Sequence, residues 1–145
     1  MSSLTNDIGI NMNKTTVKAE FSIYGDNFDP NELTDLLGIQ PMEVNLKGVI
    51  TGTRKRPSTE TSWSIYTKKE ESYDVKEQID KIVSILKDKI KLINGFKEKN
   101  EVSISLSLLI EVENDEKPAI YWTPETNDFL GKIGAESSIE IYMYS

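Results

Sequence analysis

Val102, Ile104, Leu106, Leu108 and Ile110 alternate with Ser103, Ser105 and Ser107. A period of two sends successive side chains to opposite faces, so residues 102 to 112 are predicted to be a strand with one apolar face and one small polar face. A helix would scatter those residues around its whole circumference. The same alternation recurs where Val17, Ala19, Phe21 and Ile23 interleave with Lys18, Glu20 and Ser22, and again in the closing "SIEIYMYS", where Ile139, Ile141 and Met143 alternate with Glu140, Tyr142 and Tyr144. Strands that are apolar on one side only require a cover for that side, which helices can supply.

Residues 75 to 96 are predicted to form a long amphipathic helix, because Val75, Ile79, Ile82, Val83, Leu86, Ile90, Ile93 and Phe96 recur at spacings of three and four before Asn94-Gly95. Its stripe suits core packing, being too short for a sustained coiled coil. Between the first strand and this helix, "MEVNLKG" (42 to 48) and "TSWSIYTKK" (61 to 69) have strand composition. "PAIYWTPE" gives a further short strand ending at Thr123, which caps a helix carrying Phe129, Leu130 and Ile133 and closing at Gly134.

The stretch "FSIYGDNFDPNELTDLLGIQP" holds a row of acids, Asp26, Asp29, Glu32 and Asp35. Carboxylates suit calcium or magnesium, but these do not have the spacing of an EF-hand loop. Helix punctuation fits each position better. Asp29 is a cap, Pro30 occupies the first helical position, Glu32 completes a capping box, Phe28 and Leu33 form a staple, and Gly38 takes the left-handed closing position. No metal site and no cofactor is expected.

The resulting order is an α+β fold: a ferredoxin-like βαββαβ core with a C-terminal βαβ extension, in a mostly antiparallel sheet. Residues 1–16 are expected to be a flexible N-terminal segment and 17–145 a single domain, a size at which one core suffices. The start "MSSLTNDIGINMNKTT" has no apolar export signal, and no run approaches a membrane span, so the expected location is cytoplasmic.

The strand ending in Gly25-Asp26, the segment "DPNELTDLLGIQP", Lys47-Gly48, Trp63 and the closing "LGKIGAESSIEIYMY" together resemble the bacterial family catalogued as domain of unknown function 4279. The resemblance covers roughly residues 17 to 144. Its motifs are structural, so it implies a fold and no catalytic set.

The chain has no His and no Cys, which excludes Ser-His-Asp and Cys-His catalysis, His- or Cys-ligated metals and disulfides. No phosphate-binding loop of Walker type is present. An acid-base pair such as Asp26 with Glu43 would need a shared cleft that no spacing implies. No catalytic residue is assigned, and an enzyme is not the expected reading.

With 17 Lys and Arg against 24 Asp and Glu, the net charge of −7 disfavours nucleic acid and anionic membranes and favours a basic partner. The leading expectation is a non-catalytic module that binds a protein partner, in an immunity or antitoxin-like role. The alternative is a sensor of a small anionic ligand or nucleotide. It would use the basic loop 47–59, with Lys47, Arg54, Lys55 and Arg56 as anion contacts and Trp63 or Tyr66 as a stacking surface. The competing reading of that loop is a solvated hairpin connection kept soluble by its charge.

Overall fold

The computed structural model describes residues 13–50 and 55–144. Strand β1 (Thr16–Gly25) leads to helix α1 (Pro30–Leu37), and the strands β2 (Glu43–Asn45), β3 (Thr61–Tyr66) and β4 (Glu70–Glu71) follow. Helices α2 (Lys76–Leu86) and α3 (Ile90–Lys99), strand β5 (Ser103–Val112), helix α4 (Pro124–Ile133) and strand β6 (Glu136–Met143) complete the order. Among the described residues, four helices and a six-stranded, mostly antiparallel sheet make the α+β class plain. The expected flexible segment falls largely on residues 1–12, outside the described residues.

The sheet runs β2-β3-β1-β5-β6, with β4 beside the start of β1. β1 lies between β3 and β5, antiparallel to both, and β2 is antiparallel to β3. Among the described strands, only β5 and β6 pair in parallel, with Leu108 opposite Ile139 and Val112 opposite Met143. The alternation read in the sequence is what the sheet uses. Val17, Ala19, Phe21 and Ile23 of β1 and Ile104, Leu106, Leu108 and Ile110 of β5 are all buried in one core with the apolar stripes of the helices.

The cap, the opening proline and the closing glycine of α1 hold, whereas among the described residues Glu32 makes no hydrogen bond that would close the expected capping box. Asp29 Oδ1 accepts from the Asn31 N–H at 2.9 Å, Pro30 opens the helix, and Gly38 closes it at φ 68°, donating its N–H to Thr34 O. Thr123 caps α4 in the same manner, accepting from the Thr126 N–H at 3.1 Å.

Three expectations are corrected. The helix expected over 75 to 96 is two helices, α2 and α3, separated by Lys87-Asp88-Lys89, and the second runs through Asn94-Gly95 to Lys99. At 3.6 residues per turn, Phe96 would sit about 100° around from Ile79 in one straight helix. The break re-aims α3 so that Phe96 is buried edge-on against Phe28, with ring centroids 5.8 Å apart. Burying a side chain of that size is worth about 1.5 to 3 kcal/mol, more than one interrupted helical turn costs.

The strand expected in "PAIYWTPE" is absent; Ala119 makes a single bridge to Asp74, its N–H donating to Tyr73 O and its carbonyl accepting from Val75. Pro118 and Pro124 bracket too short a run to sustain a ladder. The C-terminal extension is therefore α4 and β6 added to β5. Finally, the strand expected over 42 to 48 is only three residues long, and the one over 61 to 69 stops at Tyr66, with β4 starting separately at Glu70.

Candidate functional site: the open face of the sheet

Covering one face with helices leaves the other side chains of every strand on the opposite face. Cross-strand register puts them in rows. One row runs Glu43, Ser64, Ser22, Ser105, Glu136; the next runs Tyr66, Glu20, Ser107, Ser138; a third runs Lys18, Leu109, Glu140. Serines fill the centre, where Ser22 and Ser64 hydroxyls lie 2.7 Å apart and the Ser138 hydroxyl donates to Ser107 at 3.0 Å. Small hydroxyl side chains keep the middle of the face flat, and the glutamates make it acidic.

Two cations near this face, Lys18 and Lys69, are already engaged. The Lys18 ammonium sits 4.0 Å above the Tyr66 ring and 3.8 Å from a Glu20 oxygen. Lys69 bonds Glu111 at 2.5 Å; this contact holds the Glu111 carboxyl below its ordinary range and the Lys69 ammonium above its own. At the other end, burial followed by repulsion from Glu136 and Glu60 pushes the Tyr24 hydroxyl upward, so it stays protonated and able to donate. Between β1, β5 and β6 lies a depression of about 210 Å³ lined by Lys18, Glu20, Ser107, Leu108, Leu109 and Glu140. With Glu20, Glu140 and a single cation, Lys18, in its lining, the depression is net acidic, and Leu109 adds an apolar contact, a combination that suits a long cationic side chain with an apolar stem.

The residues expected to form an anion site are dispersed. Lys47 bridges to Ser58 and its ammonium lies 3.4 Å from Asp26. Lys55 and Arg56 are exposed, and Arg54 lies outside the described residues. Trp63 is wholly buried and donates its indole N–H to Thr34 Oγ1 at 3.0 Å, so its ring offers no stacking surface. Tyr66 is on the open face, but Lys47 N–H bonds Thr61 Oγ1, five residues away along β3, a separation of about 16 Å. Asp26 and Glu43 do not form a pair either: Asp26 faces Lys47 and Glu43 accepts from Asn45.

Glu20, Glu140, Lys18 and Leu109 were not singled out in the sequence, although each sits at an off-core position of an alternating strand. Among the described residues, no helix is long and apolar enough to cross a membrane, and no cluster of three or more metal-binding side chains occurs. No curated protein and no solved structure matches the chain. Residues 14–144, nearly the whole chain and every element of the sheet, match one family, and the protein belongs to it: the domain of unknown function family DUF4279.

Proposed function

We propose that this protein is a non-catalytic interaction module that docks a basic protein partner on the open face of its sheet. The observation that carries the reading is the acidic slot between Glu20 and Glu140, set in a serine-floored face that no helix among the described residues covers. A lysine or arginine of the partner enters the slot, its stem against Leu109 and its charge between the carboxylates. Tyr24, Tyr66 and Tyr142 supply the amphipathic rim that suits protein interfaces. Basic nucleases have the required chemistry, which makes an immunity or antitoxin-like role in the cytoplasm the natural setting. The net charge of −7 adds long-range attraction to such a partner.

The alternative, an anionic ligand or nucleotide sensor on loop 47–59, has less support, because Lys47 is engaged with Asp26 and Trp63 lies in the core. The test is affinity capture with the immobilised native chain and with a variant carrying Glu20→Lys and Glu140→Lys. A basic protein retained by the native chain, released by salt and absent from the variant is the expected result. Equal capture by both removes the slot from the interface. A thermal shift with nucleotides or inorganic phosphate, lost on Lys55→Glu and Arg56→Glu, would move the function to the loop.

A further inference from the structure

The two edges of the sheet are built differently. β2 is three residues long and directly follows Pro41-Met42, so it offers little to pair with. β6 is eight residues long, Glu136–Met143, with no Pro and no Lys, and is the last strand of the sheet among the described residues. Short edges, prolines and lysines are the usual protections against strand addition, and β6 lacks all of them.

The direction of its free backbone groups can be read off the ladder. Tyr144 N–H donates to Val112 O, so even-numbered residues turn their amides toward β5. The N–H and C=O groups of Ser137, Ile139, Ile141 and Met143 then point outward. These are also the residues whose side chains lie on the helix-covered face, yet Ile141 is 47% and Met143 54% exposed. Bare amides and uncovered apolar side chains therefore coincide on the same residues.

We propose that β6 pairs antiparallel with β6 of a second copy, with Ile141 on the twofold axis. In that register Ile141 faces Ile141, Ile139 faces Met143 of the second copy twice over, and the outward amides meet as hydrogen-bonded pairs. On the open face, Glu140 falls opposite Tyr142 of the second copy. Within one chain Tyr142 already donates to Glu140 at 3.1 Å, so the pair is chemically compatible. Moving the axis one residue toward the N-terminus sets Glu140 directly against Glu140 of the second copy, a like-charge contact at the closest spacing. Moving it further in that direction, onto Ile139, sets Ile141 against Ser137 of the second copy, and moving it one residue the other way, onto Tyr142, leaves Ile139 without an apolar partner. The twofold stands perpendicular to the sheet, so the two open faces join into one surface looking the same way. This inference rests on the edge strand; it shares Glu140 and Tyr142 with the open face but does not depend on what docks there.

The full chain in sedimentation equilibrium is expected to show twice its 16.4 kDa mass at micromolar concentration, more tightly at high salt, because like net charges are screened. Ile141→Pro deletes an outward N–H without touching the β5 ladder and is expected to give a folded monomer. The chain holds no cysteine, so register can be read by oxidation: Ile141→Cys alone crosslinks to its own copy, Ile139→Cys alone does not, and Ile139→Cys with Met143→Cys does. A monomeric native chain overturns the proposal. So does a dimer that survives Ile141→Pro, or one in which Ile139→Cys alone crosslinks and Ile141→Cys does not.

Discussion

At the residue scale, the acids of the first helix act through the backbone. Asp29→Ala removes the acceptor for the Asn31 N–H and is expected to lower the free energy of unfolding in urea by about 0.5 to 2 kcal/mol, with no dependence on added calcium or magnesium. A metal-induced rise in melting temperature that this substitution abolishes would contradict a capping role. Gln78 presents the opposite case. It is fully buried, and neither its Nε2 nor its Oε1 makes a hydrogen bond of normal geometry among the described residues, although the amide lies near enough to Glu70 to help hold that carboxyl below its ordinary range. Since an unmade buried hydrogen bond costs about 1 to 3 kcal/mol, Gln78→Leu should raise stability in the same assay by about 1 kcal/mol.

The Lys69–Glu111 pair supplies a pH dependence with a definite sign. Glu111 is held below its ordinary value of 4.5 by the lysine, so its folded pKa is depressed. The stability it contributes is present above that ordinary value and is lost as pH falls through the folded one. The difference between the native chain and Lys69→Met should therefore be constant near neutrality and vanish in acid, as seen in urea midpoints across pH.

At the scale of elements, strand chemistry was legible because burial on one face imposes alternation, and cap chemistry because Asp29, Pro30 and Gly38 act on their own neighbours. The split between α2 and α3 was not legible. It depends on Phe96 meeting Phe28, a contact 68 residues apart that no local period encodes. The strand expected at 118 to 123 and not found has the same origin, since its β-forming residues meet the 73–75 segment at only one bridge. Of the candidate site, the basic loop was visible as a run of charge, whereas the slot was not, because Glu20 and Glu140 are 120 residues apart and are brought together only by the order β1-β5-β6.

Gly25 illustrates a close approach of the same kind. A Cβ there would lie 2.5 Å from Glu101 O, so Gly25→Ala must displace the chain entering β5. Overpacking of this sort costs about 1 to 3 kcal/mol, and the loss should appear as a lower melting temperature with unchanged far-ultraviolet dichroism. Of the two tryptophans, Trp63 is sealed in the core and Trp122 is partly buried. In Trp122→Phe, the remaining emission should be blue-shifted and poorly quenched by acrylamide.

For the whole molecule, one layer of helices on one face of a sheet leaves the domain with an open surface that its own core does not need. Substitutions there should leave folding nearly intact, since exposed positions change stability by less than about 0.5 kcal/mol each. Charge reversal can thus separate function from fold. The decisive comparison is calorimetric titration of the captured basic partner into two variants, one with Glu20→Lys and Glu140→Lys, the other with Lys55→Glu and Arg56→Glu. Loss of the two slot carboxylates should weaken binding at least tenfold, about 1.4 kcal/mol, while the loop variant binds as the native chain does. Native affinity in the slot variant, or a comparable loss in the loop variant alone, would contradict the assignment of the open face.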